Sequence, residues 1–256
     1  MQYIVMDLEF NQPFDFEDGS EFAPNPDCPF EIIQVGMVLL DSELNIRDTL
    51  ELNVLPTLYR RLHPFVAKIT GLTRRDLAGW PQFPKALESI KGFLEGSGED
   101  CVLAVWGGSD VKLLYKNIRF HKLDAAGIPE RFVDVQQLAN KHFGMPGGAS
   151  VGLKNAVGRL GIEPGRAFHN ALGDALYTAQ IFQLVCGNQK ELDIRNILEP
   201  SKKQHTHPKN FDPTNVDYAA LYQEAEKLLG GRLTANQKKI VRRLYNMGAQ
   251  HLFGPG

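Results

Sequence analysis

Residues 2–10 are QYIVMDLEF, an apolar run that ends in alternating charge. A continuous apolar run of this length predicts a buried strand. Asp7 and Glu9 lie two residues apart, so on a strand their side chains project from one face while Leu8 points to the other. Two adjacent carboxylates repel each other unless a cation lies between them, and oxygen ligands of this kind suit Mg²⁺ or Mn²⁺. The run therefore predicts a strand that carries a metal-binding pair, with a solvated strand end as the competing interpretation.

The segments that follow predict an α/β domain. Two β-rich runs at 32–40 and 49–55 are joined by a hairpin connection, and a helical stripe occupies 83–94. An apolar strand at 101–106, a helix from Ser109, a short strand at 131–135 and a helical stripe at 172–185 come next. Three strands in a meander, followed by strands that alternate with helices, indicate a mixed five-stranded sheet flanked by helices.

A second acidic position follows the fourth predicted strand. Asp110 comes directly after the turn Gly107-Gly108-Ser109, at the start of a predicted helix with Ser109 as its N-cap. An acidic residue in a first helical turn is favourable through the helix dipole, and this capping role is the competing interpretation for an isolated aspartate.

The third piece is FHNALGDA at residues 168–175. His169 and Asp174 are five positions apart, roughly 140° around a helix, so they would not share a face if both were helical. We therefore expect His169 in the preceding loop, Asn170 as N-cap and Asp174 on the helix. In that arrangement His169 leans over a metal that Asp174 binds, although an ordinary loop histidine is the competing interpretation.

In this order and spacing, the acidic residues and the histidine resemble the DEDDh exonucleases, a family that includes the proofreading subunit of bacterial replicative polymerase and RNase T. Further segments of similarity are EIIQVG at 31–36, ITGL at 69–72 and FVD at 132–134, and the resemblance covers about residues 1–187. Trp106 and the two glycines before Asp110 most resemble the RNA-trimming branch of the family.

The resemblance implies a ribonuclease-H-like fold and a 3′–5′ exonuclease that acts on single-stranded nucleic acid with a free 3′ end, RNA being slightly favoured over DNA. It also implies two ions of Mg²⁺ or Mn²⁺. Asp7 would bridge both ions, Glu9 and Asp174 would bind the first, and Asp110 would place the second mainly through water. His169 would be the general base that takes a proton from the attacking water.

Several other residues are candidates for contact with the substrate. Leu8, Phe10 and Leu72 are candidates for packing against the terminal bases. Core packing is the competing interpretation for Leu8 and Phe10. Trp106 and Asn170, which adjoin the motif residues, complete the predicted substrate-binding set.

Two other functions compete with the exonuclease. One is a catalytically inactive nucleic-acid-binding module on the same fold, which the complete set of five motif residues argues against. The other is an aspartyl-phosphate phosphatase with Asp7 as nucleophile. That chemistry requires a second aspartate two positions on, where this chain has Glu9.

Composition and charge bound the remaining possibilities. Cys28, Cys101 and Cys186 form no C-x-x-C pair, which favours a reducing cytoplasm over a disulfide framework. No run approaches the roughly 18 apolar residues of a membrane span, so we expect no membrane association. Residues 188–256 carry 11 lysines and arginines against 7 acidic residues, whereas 1–187 carry 17 against 23. We therefore expect an exonuclease domain at 1–187 and a basic linker with a helical hairpin appendage at 188–256.

Overall fold

The computed structural model describes residues 1–17, 19–20, 22–96, 101–146, 149–186 and 192–196, together with five positions of the C-terminal segment. The chain divides into two compact units, Met1–Pro200 and Ser201–Gly256. In the second unit, Tyr222, Glu226 and Lys238 are helical. The predicted helical hairpin otherwise lies outside the described residues.

Six strands of the first unit form one mixed sheet. Their bounds are β1 (Gln2–Asn11), β2 (Glu31–Leu40), β3 (Ile46–Asn53), β4 (Cys101–Val105), β5 (Arg131–Asp134) and β6 (Ile194–Asn196). The order across the sheet is β3-β2-β1-β4-β5-β6. The central strand β1 is antiparallel to β2 and parallel to β4. The predicted mixed sheet is confirmed, but it has six strands where the sequence predicted five.

The additional strand β6 pairs antiparallel with β5 and lies beyond residue 187, where the exonuclease domain was expected to end. Three residues are too few to show a period of two in the sequence. The strand is therefore detectable only through its pairing with β5.

Helices cover both faces of the sheet. Their bounds are α1 (Pro64–Thr70), α2 (Phe83–Glu95), α3 (Ser109–Phe120), α4 (Val135–His142), α5 (Leu153–Arg159) and α6 (Ala171–Cys186). One core combines Ile4, Met6 and Leu8 of β1 with the apolar stripes of α2 and α3, and the other combines Tyr3 and Val5 with α4, α5 and α6. The strand therefore alternates its side chains between two apolar layers, as expected for a buried strand.

Gly36 on β2 allows helix α6 to approach the sheet closely. A Cβ atom at this position would overlap the backbone of Ala171 and Leu172, the first two residues of α6. Gly36 is also the β2 residue that pairs with Asp7 on β1. The absence of a side chain at Gly36 therefore brings the start of α6 beside Asp7.

Among the described residues, no helix combines the length and the apolar character that crossing a membrane requires.

Candidate active site

Asp7 and Glu9 project from the face of β1 that α6 covers. The alternation of β1 places them with Tyr3 and Val5, whereas Leu8 belongs to the opposite core. The pairing of β1 with β2 shifts register between Glu9 and Phe10, directly after the second carboxylate. The predicted same-face arrangement of the two acidic residues therefore agrees with the structure.

Asp110 reaches this pair from the start of α3. Its carboxylate accepts a hydrogen bond from the backbone N–H of Leu8, the residue between Asp7 and Glu9. The predicted N-cap was wrong: Gly108 occupies the cap position, and Ser109 is the first helical residue. Two consecutive glycines allow the tight turn, in which Gly107 has a φ of 82°.

Asp134, at the end of β5, stabilises this turn through hydrogen bonds to its carboxylate. Its buried carboxylate accepts hydrogen bonds from the backbone N–H of Gly107 and, at 3.1 Å, from that of Gln137. It thereby caps α4 and holds the turn that precedes Asp110. Arg195 of β6 lies 3.8 Å from the same carboxylate, so the sixth strand is connected to the base of the site.

The loop before α6 places His169 and Asp174 as predicted. His169 has a left-handed backbone with φ of 64°, and its N–H donates to Asp174 Oδ2 at 3.0 Å. Asn170 Oδ1 accepts from Gly173 N at 2.9 Å, which confirms that Asn170 caps the helix. The Asn170 amide also donates to Glu51 on β3 at 3.0 Å, so both ends of its side chain are bound within the protein.

The motif residues line a single open pocket of about 400 Å³. Glu9, His169 and Asp174 each offer one ligand atom there, and these three atoms lie within 4.8 Å of one another. All five motif residues therefore meet, although they come from three separate parts of the chain. The lining consists of Asp7, Leu8, Glu9, Phe10, Phe30, Trp106, Ser109, Asp110, Leu113, Leu153, His169 and Asp174.

Burial and mutual repulsion raise the pKa values of the carboxyl groups in the pocket. Burial raises the pKa of Glu9 to about 8, with further contributions from the charges of Asp174 and Asp110. The pKa of Asp7 is raised well above its ordinary value by burial and by the charges of Asp110, Asp174 and Glu9. Burial likewise raises the pKa values of Asp110 and Asp174. Without a counter-charge, these groups therefore resist ionisation together.

A divalent cation fits this set of ligands. Asp174 Oδ1 is buried and has no hydrogen-bond partner among the described residues, whereas Oδ2 is bound by His169 N–H. A buried carboxylate oxygen in this state is costly unless a cation or a donor meets it. Asp7, Glu9 and Asp110 supply further oxygen ligands of the type that Mg²⁺ and Mn²⁺ prefer.

Only some of the predicted substrate-binding residues line the pocket. Leu8, Phe10 and Trp106 line the pocket, whereas Leu72 and Asn170 are not among its lining residues. Leu72 is half-buried in the turn after α1. The lining also includes four residues that sequence reasoning missed: Phe30, Ser109, Leu113 and Leu153.

A helical pattern could have identified only one of these missed residues. Leu113 follows Asp110 by three positions on α3, and residues at that spacing share a helix face. Phe30 lies 6.3 Å from Phe10 between ring centroids, a contact between distant segments that no local pattern indicates.

Comparisons of the sequence with known proteins found a matching family model and curated relatives. The RNase T family model, described as an exonuclease, matches residues 4–182. A DNA polymerase III of the PolC type from Thermotoga maritima is 27% identical over 217 residues, which are 85% of this chain but only 14% of the polymerase.

Two solved structures share the fold. The nuclease domain of 3′hExo, described as a DEDDh family member bound to rAMP, has a TM-score of 0.63 at 22% identity and covers 76% of this chain and 96% of its own. Cell-death related nuclease 4 has a TM-score of 0.65 at 16% identity, with coverages of 89% and 76%. The ribonuclease-H-like fold predicted from the sequence is confirmed.

Proposed function

Since this chain belongs to the exonuclease family, we propose that it removes nucleotides one at a time from the 3′ end of single-stranded nucleic acid. The observation that carries the proposal is the convergence of four carboxylates and one histidine on one open pocket. The acidic groups in it have raised pKa values that a bound cation would relieve.

Asp7, Glu9, Asp110 and Asp174 would hold a pair of divalent cations, Mg²⁺ or Mn²⁺. Two such ions supply charge stabilisation for both the attacking and the leaving oxygen of a phosphodiester displacement. The protein's own part is to fix the carboxylates, and it does so with rigid elements: β1 for Asp7 and Glu9, α3 for Asp110 and α6 for Asp174.

His169 is the proposed general base. Its backbone N–H is tied to Asp174, so the left-handed residue is held in place while its imidazole stays exposed to the pocket. An exposed imidazole beside the acidic cluster can take a proton from a water molecule that attacks the phosphorus and release it to solvent.

We favour RNA slightly over DNA as the substrate. The 3′hExo nuclease domain, which shares this fold, carries rAMP, a ribonucleotide. The PolC-type relative is a DNA polymerase, and this chain spans only a small part of it. Phe10, Phe30 and Trp106 line the pocket and offer aromatic faces on which the terminal bases could stack in either polymer.

The test uses matched RNA and DNA oligonucleotides, single-stranded and duplex, labelled at either end and incubated with Mg²⁺, Mn²⁺ or EDTA. We expect a 5′ label to give a ladder that shortens by single nucleotides and a 3′ label to be released at once as a mononucleotide. Asp174→Asn is the control and should be inactive but folded. Degradation that starts from the 5′ end, cleavage in EDTA, or an active Asp174→Asn variant would overturn the proposal.

A further inference from the structure

The pocket described above is lined by acidic and apolar side chains, with no lysine or arginine among its lining residues. A nucleic-acid strand carries a negative charge at every phosphate. Bound cations would compensate the phosphate that is being cut, but the neighbouring phosphates would still approach four carboxylates. A positive side chain at the edge of the pocket would therefore favour the productive alignment of the strand.

Lys154 has such a position. Helix α5 begins with Leu153, which lines the pocket, and Lys154 is the next residue. The Lys154 ammonium lies 5.7 Å from the ring centroid of Phe168, within the range of a cation–π contact. Phe168 directly precedes His169, so this ammonium lies over the residue next to the proposed general base.

The Phe168 ring, on which Lys154 rests, is held in position by its packing on α6. Phe168 stacks on Tyr177 of α6, with centroids 4.9 Å apart and planes at 28°. The Tyr177 hydroxyl donates to Arg166 O at 2.6 Å and accepts from Arg166 N at 2.8 Å. The segment that carries Phe168 and His169 is thus fastened to α6, and Lys154 rests on a fixed aromatic surface.

Two other described cations on α3 and α5 are turned elsewhere. Lys112 follows Asp110 by two positions, roughly 200° around the helix and away from the pocket. Arg159 is on the same helix as Lys154. Its guanidinium carbon lies 5.3 Å from the ring centroid of Phe143, and its guanidinium also contacts the sulfur of Met145. Lys154 is exposed and keeps its ammonium hydrated, so it can meet a phosphate with little cost of desolvation.

We propose that Lys154 binds a backbone phosphate of the substrate strand next to the one that is cut. This inference rests on the proposed exonuclease function. Lysine acts in such a contact as a point charge rather than a two-pronged fork. The contact would set the affinity for a strand and would leave the chemistry at the cut phosphate to the pocket residues.

The experiment compares the full-length wild-type chain with Lys154→Ala, Lys154→Arg and the matched control Arg159→Ala. Two substrates are used with Mn²⁺: a single-stranded oligonucleotide, and the p-nitrophenyl ester of thymidine 5′-monophosphate, which has one phosphate. For Lys154→Ala we expect the oligonucleotide KM to rise roughly three- to tenfold while kcat stays close to that of the wild type. The slope of the logarithm of strand affinity against the logarithm of salt concentration should become less steep by about 0.7, the value for one phosphate contact on a single strand.

The ester should be affected less than the oligonucleotide, because it lacks the neighbouring phosphate. Lys154→Arg should restore the salt slope, and Arg159→Ala should keep both the slope and the KM of the wild type. An unchanged oligonucleotide KM in Lys154→Ala, or an equal effect on both substrates, would overturn the inference. A wild-type chain that cleaves neither substrate would instead contradict the proposed function itself.

Discussion

The carboxyl groups of Asp7, Glu9, Asp110 and Asp174 are each placed where ionisation is unfavourable in the metal-free protein. Burial and the neighbouring acidic groups act in the same direction on Asp7 and Glu9. A protein under no functional constraint would separate such groups or pair them with cations. The cluster is thus a cost in stability that binding of a divalent cation would offset.

The first prediction concerns pH and metal. Because the Glu9 pKa is raised from 4.5 to about 8, the folded chain binds more protons than the unfolded chain between those values. The free energy of unfolding therefore falls as pH rises through that window. In EDTA we expect Tm, measured by differential scanning calorimetry, to drop by roughly 5 °C or more from pH 5 to pH 8. Saturating Mn²⁺ should reduce the drop, and so should Asp7→Asn in EDTA. A Tm in EDTA that does not change with pH would contradict the prediction.

The second prediction concerns His169. Replacement by alanine should lower the rate by a factor on the order of 10²–10⁴, the usual contribution of a general base. Metal affinity should survive, because the four carboxylates remain, and titration with Mn²⁺ would measure it. The ligand atoms of His169, Glu9 and Asp174 lie within 4.8 Å of one another. A variant that no longer binds metal would therefore show that His169 is a ligand instead.

The order and spacing of the five motif residues, together with the family resemblance, were enough to predict the set, and local rules placed four of the five. Asp7 and Glu9 depend on strand alternation, and His169 and Asp174 on a helix N-terminus capped by Asn170. The rest of the pocket depends on contacts between distant segments. Phe30 reaches it because Asn117 of α3 holds its carbonyl at 2.9 Å, a hydrogen bond that spans 87 positions of sequence.

At the scale of elements, the placement of α6 on the sheet depends on Gly36. In Gly36→Ala the added methyl group would overlap the backbone of α6 and push the helix away from β2. Overpacking of this kind costs about 1–3 kcal/mol or more, and here it would also separate Asp174 from Asp7. We expect lower stability in urea unfolding together with weaker Mn²⁺ binding.

The matched control is Gly92→Ala, on the exposed side of α2, where an added Cβ has no atom within 4 Å. That change should raise stability by about 0.5–1 kcal/mol, because alanine is the better helix former, and metal affinity should not change. Equal effects of the two substitutions would show that the close approach of α6 is unimportant.

The elements that could not be predicted from the sequence are those that depend on contacts with other elements. The apolar stripe of α2 is buried as predicted. Strand β6 has three residues and no pattern of its own, yet its Arg195 reaches Asp134 under the turn that carries Asp110. Periodicity identifies an element by the face that it buries, so it cannot identify a short strand that is fixed by edge pairing and by side-chain contacts with distant residues.

At the scale of the whole chain, charge is distributed unevenly, and the basic C-terminal segment gives a further prediction. A truncated chain should end at Pro200 rather than near residue 187, because ending earlier would remove β6 and the ion pair of Arg195. If the basic side chains of this segment, which include Lys238, Lys239, Arg242 and Arg243, contact phosphates, truncation should weaken binding to a long single strand. The competing interpretation is a solvated helix face with ordinary solubility charges. The salt slope should flatten by about 0.7 for each phosphate that the shortened chain no longer binds. Identical slopes for the two chains would contradict a role of this segment in binding the strand.

The contact between Gly36 and the start of α6 also sets when activity can first appear during biosynthesis. At about 5–20 residues per second, the ribosome needs roughly 10–30 s to proceed from Asp7 to Asp174. The central strand β1, which carries Asp7 and Glu9, is translated long before α6, and until α6 docks at Gly36 there is no Asp174 or His169 beside it. A nascent chain therefore has three of its four carboxylate ligands, and lacks Asp174 and the proposed general base, until α6 has been synthesised and has docked, so the proposed nuclease site is completed late in synthesis.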